Sequence, residues 1–265
     1  NLPPFPNDRG AAIPTSLFGT FIRPGELLVY PFFEYQLDNN REYQPAQYGY
    51  GKDEDFRAKF HGSSEQIYVG YGFTDWLVAE FEFAYMDVRF EKSPDDHSPL
   101  PPKIHETGLG DFEGQIRMRW AKETKGRPEI FGFLDVTVPS QNGKLLIRDP
   151  DWNFKPGIGV IKSFSWGTLL FRTDLEYNRE ASSPDIGETA IEYLRRFSPS
   201  GLLNLGIEGG EGGAPDEWNL ITGVHLRLAD WAYLKLNNSL GITSKATDWV
   251  PQGGLLFSFP IKPHG

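Results

Sequence analysis

Cysteine is absent from all 265 residues. Its absence excludes disulfides, thiolate nucleophiles and cysteine-based zinc centres, and suits an oxidising compartment where stray thiols are a liability. Histidine is scarce, at five residues, too few and too scattered to argue for a dedicated metal site. No apolar run approaches the roughly 18 residues that a membrane-spanning helix requires. Apolar spacing by three and four is nowhere sustained, and 29 Gly and 21 Pro punctuate the chain, so helix is not expected as its main element. Basic residues are the minority: 26 Lys and Arg against 36 Asp and Glu leave a net charge of −10, which excludes a nucleic-acid backbone as the natural partner. A Gly-rich phosphate loop, a nucleophile elbow and an HExxH sequence are all missing. No cofactor is expected.

What the chain does have is a period of two. Across GLGDFEGQIRMRW (108–120) one alternate set reads Gly110, Phe112, Gly114, Ile116, Met118, Trp120, and the other Leu109, Asp111, Glu113, Gln115, Arg117, Arg119. WLVAEFEFAYMDVRF sets Leu77, Ala79, Phe81, Phe83 and Tyr85 against Glu80 and Glu82, and LLFRTDLEY sets Leu169, Phe171, Leu175 and Tyr177 against Arg172, Asp174 and Glu176. Each is a strand with one apolar and one charged face. In a soluble sandwich the apolar face looks at a core and the charges at water; in a membrane barrel the apolar face looks at lipid and the charges line the bore. A mean hydropathy of −0.43 does not choose between them, because the spanning strands of a barrel are only half apolar.

The connections choose. Twelve strands are expected, near 26–38, 63–73, 76–90, 107–121, 128–138, 152–163, 167–178, 188–197, 202–209, 218–228, 231–241 and 251–259. Short links (Thr74-Asp75, 122–127, Ser165-Trp166, 198–201, Ala229-Asp230) alternate with long ones (39–62, 91–106, 139–151, 179–187, 210–217, 242–250). An up-and-down barrel with tight periplasmic turns and long extracellular loops has this asymmetry, whereas a Greek-key sandwich has no reason for it. A lipocalin-like barrel has eight strands, fewer than this chain offers. Aromatics near strand ends (Trp76, Tyr85, Phe90, Trp120, Trp166, Tyr177, Trp218, Trp231, Trp249) fit interfacial girdles. The expected fold is therefore all-β: a twelve-stranded antiparallel transmembrane barrel over residues 26–260, preceded by a Pro-rich periplasmic segment (1–25) and followed by a short tail (261–265). Residue 1 is read as a mature N-terminus after export.

In that orientation the lumen receives Glu80, Glu82, Asp111, Glu113, Arg117, Arg119, Asp135, Arg172, Asp174, Glu176, Glu192, Arg196, Glu208, His225, Arg227 and Lys235. Both signs are present in comparable number, and Glu80 and Glu82 are expected to face Arg117 and Arg119, with Asp135 near them. Twelve strands enclose a narrow bore. The long first loop is a candidate constriction through Tyr43, Tyr48, Tyr50 and Phe56, and the second carries Asp95, Asp96, His97 and His105, from which no metal site is expected. His61 and Ser63 in HGSS stand two apart on one strand face, a weak echo of a base and nucleophile; no third partner is evident, and catalysis is not expected.

With FTDWLVAEFEFAY before it and PEIFGFLDVTVPS and NFKPGIGVIKSF after it, the GLGD strand resembles a family of outer-membrane channels linked to degradation of phenol and related aromatics. The resemblance runs over about residues 63–260 and implies a twelve-stranded barrel that passes small hydrophobic or aromatic molecules. It transfers no binding residue, and the long first loop departs from the pattern. The expectation is a channel in the bacterial outer membrane, touching lipid, lipopolysaccharide and a small solute. The alternative is a closed barrel that anchors an envelope protein through its N-terminal segment or loops.

Overall fold

A computed structural model describes residues 22–51, 53–140, 144–147, 152–178, 185–210 and 217–261. Twelve strands close into a barrel in which each pairs antiparallel with its sequence neighbour and β1 pairs with β12. They are β1 (Glu26–Tyr43), β2 (Phe56–Gly72), β3 (Leu77–Glu91), β4 (Lys103–Ala121), β5 (Glu129–Val138), β6 (Asn153–Phe164), β7 (Gly167–Asn178), β8 (Asp185–Ser198), β9 (Gly201–Gly210), β10 (Glu217–Ala229), β11 (Ala232–Gly241) and β12 (Trp249–Pro260). Closure leaves no sheet edge, so every spanning strand has a hydrogen-bonding neighbour on both sides, the condition a sheet must meet in hydrocarbon. The short connections gather at one end, taken as periplasmic, and the long ones at the other.

The apolar side chains point outward. Along β4, Ile116 is 49% exposed and Trp120 61%, while Gln115 and Arg117 are buried inside. Along β3, Phe81, Phe83 and Tyr85 are exposed and Glu80 is buried. Trp76, Trp120, Trp166 and Trp231 ring the periplasmic rim, and Tyr85, Trp152, Tyr177 and Trp249 the opposite one. Phe90, grouped with these girdles in the sequence, is instead buried inside the barrel.

β1, β2 and β4 are longer than expected, at 18, 17 and 19 residues, and together with the 15 residues of β3 they raise one side of the barrel above the membrane as a wall. On that wall the polarity of the faces reverses. Above Tyr85 the outward residues of β3 are Asp87, Arg89 and Glu91, and the inward ones are Val88 and Phe90. β2 does the same, with Arg57, Lys59 and His61 outward and Ala58 and Phe60 inward. Water, not lipid, bathes this part, so its apolar side chains turn in to pack under the loops. Much of the 39–62 stretch is thus strand. Only a short segment links β1 to β2, holding one 3-10 turn (Pro45–Tyr48) that Gly49 ends at φ +82°, a left-handed conformation suited to glycine.

Inside, β5 and β6 pack rings onto glycines. Ideal Cβ atoms on Gly157 and Gly159 would enter the rings of Phe133 and Phe131, respectively, so PGIGV is glycine-rich because FGF opposes it. Of the 1–25 segment, residues 22–25 close against the periplasmic mouth: Gly25 N–H donates to Gly72 O at 2.8 Å, and Ile22 joins side chains of β1, β2, β3, β8, β9, β11 and β12 in one buried cluster. Only a position within the bore reaches all of those strands. Residues 1–21 of the leader and 262–265 of the tail lie outside the described residues; Ile261 N–H donates to Gly25 O at 2.6 Å.

Candidate functional site: the barrel lumen

Three levels make up the bore. At the periplasmic mouth Arg119 pairs with Glu129 at 3.3 Å and donates to the Asp75 carbonyl at 2.7 Å, while Arg227 pairs with Asp230. Both arginines line the mouth, not the mid-bore. Arg196 is buried at this end too.

Above them lies a floor. Arg117, 1% exposed, binds Glu80 at 3.0 Å and Gln115 at 3.0 Å, and its guanidinium sits 5.4 Å from the Phe131 centroid. Across the bore Arg172 pairs with Glu188 and, at 2.9 Å, with Glu208. Lys235 lies 5.0 Å over the Tyr30 ring. Burying these cations in low dielectric is tolerable only because each has carboxylates or an aromatic face against it. With Ile22 and its cluster beneath, side chains fill the periplasmic half of the bore.

The upper half is hollow. One cavity, about 430 Å³, is bordered by Glu82, Asp111 and Glu113, by Arg41, and by Tyr48, Phe60 and Leu145–Ile147. A second, about 340 Å³, lies against β8 to β12. Glu34 and Gln36 of β1 border both. Glu82 directly opposes Glu113 in the β3–β4 register, so it meets a second carboxyl group across the strand pair in place of the expected arginine; Glu80 does find Arg117. Asp135 receives a hydrogen bond from Gln115 at 3.2 Å, and Asp174 accepts the Glu188 N–H at 3.1 Å. Glu176 accepts from Asn153. Glu34 and Glu188 also point inward, as does Lys155 opposite Asp135, and Arg41 borders the larger cavity. Glu34 had a visible signal, since it continues the inward set that Gln36 and Asp38 share.

A bulge re-aims the GLGD stretch. Tyr85 pairs with Leu109 and Phe83 with Phe112, so β4 carries one extra residue there and the alternation slips. Leu109 therefore faces out, 43% exposed, and Gly110 is buried inside. Asp111 keeps its place on the cavity wall, where Ser140 N–H donates to it at 2.9 Å.

Tyr43, Tyr48 and Phe56 gather in the raised wall with Phe90, and Tyr50, Leu100, Ile104 and Leu146 pack against them. Tyr43 meets Phe90 edge-on at 4.9 Å between centroids. Tyr48 alone of the four loop candidates borders the cavity; the others brace it. Asp96, fully covered, accepts Tyr43 OH at 3.0 Å and Ser98 N–H at 2.7 Å, with Lys92 at 3.9 Å. Burial opposes its ionisation, but those donors outweigh it and hold the carboxyl below the ordinary 3.8. The same burial, together with Asp96, pushes the Tyr43 hydroxyl up to about 12. His105 lies apart on the outer wall with Asp87 at 3.1 Å, and among the described residues no three His, Asp or Glu side chains converge as a metal site. His61 and Ser63 also face outward. The His61 ring nitrogen is 3.5 Å from Tyr35 OH, and no hydrogen bond joins it to Ser63.

No family model and no curated protein matches the sequence. The fold is similar to that of the COG4313 outer membrane channel from Pseudomonas putida F1, at 13% identity and TM-score 0.65 over 93% of this chain and 100% of that one. It is also similar to the translocator domain of autotransporter NalP from Neisseria meningitidis, at 9% identity and TM-score 0.55 over 89% and 88%. An apolar belt with aromatic rims on a closed twelve-stranded barrel of this kind is a bacterial outer-membrane protein, its belt in contact with membrane lipid.

Proposed function

We propose that the chain is an outer-membrane channel that admits small molecules from the extracellular side. The observation that carries this reading is the hollow upper lumen: two adjoining cavities of about 430 and 340 Å³, each within the roughly 300–1,000 Å³ typical of small-molecule pockets. The larger one sets aromatic and aliphatic groups (Tyr48, Phe60, Leu146) opposite carboxylates, a lining suited to a single-ring aromatic bearing a polar substituent. The resemblance to channels of aromatic degradation agrees with that chemistry. The floor makes the path narrow, so passage needs Arg117, Tyr30 or the Ile22 segment to move.

A second reading has the floor itself behind it: a closed barrel whose loops or leader hold an envelope partner. Purified barrel in planar bilayers separates the two. Discrete current steps, together with entry of phenol into barrel-containing vesicles faster than into empty ones, support the channel. Silent bilayers and uptake equal to that of empty vesicles overturn it.

A further inference from the structure

The smaller cavity has a chemistry of its own. Its polar wall is a relay whose protons can be placed by elimination. Glu34 accepts from Gln36 Nε2 at 2.8 Å and from Gln252 Nε2 at 3.4 Å. Gln252 Oε1 then accepts from Asn237 Nδ2 at 2.8 Å, which leaves Asn237 Oδ1 to accept from His225 Nε2 at 3.2 Å. Nε2 therefore carries the His225 proton, and Nδ1 is a bare acceptor. That nitrogen is buried with no partner, in a side chain only 1% exposed. Asn204 repeats the pattern: its amide nitrogen donates to Glu192 at 3.4 Å, and its Oδ1 is buried and unpartnered. A buried acceptor without a donor costs about 1–3 kcal/mol, and this cavity has three, the third being Asn219 Oδ1, together with the unpartnered hydroxyl of Tyr30.

Charge points the same way. Around the cavity Arg172 answers Glu208, and Lys235 attracts Glu192. Glu34 receives only neutral amide donors, from Gln36 at 2.8 Å and from Gln252. One carboxylate thus lacks a cation, and the remaining vacancies accept hydrogen bonds. Ile221, Val250 and the Tyr30 ring supply apolar wall between them.

Building on the channel reading, we infer that this cavity is a subsite for a small organic monocation: an ammonium group at Glu34, a short apolar body, and a hydroxyl or second N–H donor at His225 Nδ1 or Asn204 Oδ1. A protonated phenolic amine has these parts. It brings Glu34 the cation that a neutral or anionic solute of the same shape lacks, so selectivity arises before the floor is reached.

Isothermal titration of the folded full chain in detergent tests it with three probes of like shape: tyramine, 4-ethylphenol and 3-(4-hydroxyphenyl)propanoate. Saturable tyramine binding at least about tenfold tighter than either analogue is expected, the worth of one hydrogen bond to a charged group. Glu34→Gln should erase that preference, and His225→Phe should weaken tyramine about tenfold, with heat-shifted gel migration confirming that each variant is folded. Equal affinity for the three probes, no saturable tyramine binding, or an unchanged preference in Glu34→Gln overturns the proposal. If a variant runs unfolded, the three-probe comparison on the unaltered protein decides. Bilayer currents without tyramine preference would sink this site and leave the channel; tyramine preference in silent bilayers would do the reverse.

Discussion

Replacing Ile116 with lysine tests the orientation on which every reading of the lumen rests. Ile116 is 49% exposed on the outer face of β4, opposite Ala79 of β3 and Leu134 of β5. Trp120, in the periplasmic girdle, lies on the same face. At about 3.3 Å per residue and a tilt near 40°, each residue climbs roughly 2.5 Å along the barrel axis, which puts Ile116 about 10 Å above that girdle in a belt roughly 25 Å tall. That is close to the midplane, where a lysine costs about 2–4 kcal/mol. Thr107, on the outer face beyond the opposite girdle, should accept lysine at about 0–1 kcal/mol. Guanidinium unfolding from lipid vesicles, followed by tryptophan emission, reads both as shifts in the midpoint. The expected profile is a hump: largest at 116, smaller at 118 and least at 107. A flat profile, or a cost at 116 below about 0.5 kcal/mol, would mean that this face does not meet hydrocarbon.

Two further perturbations probe the interior and the rim. Arg172→Met leaves Glu188 and Glu208 facing each other without their shared cation, and removing one partner of a buried pair should cost about 3 kcal/mol in the same unfolding assay. Adding Glu188→Gln and Glu208→Gln should recover most of the loss; no recovery would show that the arginine acts through packing instead. At the rim, the lowered Asp96 carboxyl contributes stability that is present above its ordinary 3.8 and is lost as pH falls through its folded value below that. Hydrogen exchange in residues 92–102, corrected for its intrinsic rate, should stay flat from neutral pH to about 4 and rise below it. Asp96→Asn should raise it at neutral pH and remove the rise below about pH 4, and an unaltered loop in that variant at neutral pH would refute the role.

The membrane-level fold was legible because lipid and lumen enforce alternation residue by residue. GQIRMRW and LLFRTDLEY could be assigned faces directly, and the strand count followed from the rhythm of short and long links. Above the membrane the same rule hid the structure. RAKFHG and MDVRFE are regular strand in β2 and β3, but their apolar residues turn inward where the lower halves turn theirs outward. In β2 the expected strand therefore began only at residue 63, where the solvent changes, whereas in β3 it ran on to residue 90 and only the reversal of its faces was missed. The GLGD bulge was invisible for a related reason: a single extra residue shifts Leu109 from lumen to lipid without altering composition. Carboxylate partners depended on register, which sequence does not set; Arg117 reaches Glu80 diagonally, while Glu82 meets Glu113.

That last pair separates two explanations of the lumen. Two carboxyl groups directly across a strand pair form no ion pair, and a barrel needing only to keep its shape would lose nothing by having glutamine at either position. At the floor the chain shows the structural solution, with Arg117 and Arg172 each held against carboxylates. In the hollow above, Glu82 opposes Glu113 and Glu34 has only amide donors. The two arrangements are one layer apart in a single wall, so chain composition does not explain the difference. What distinguishes the layers is space: arginines meet carboxylates where side chains fill the bore, and Glu34 meets only amides where a solute has room to enter. The Glu34 carboxyl, met by amides and no cation, therefore marks a part of the lumen that is shaped for something other than the barrel itself.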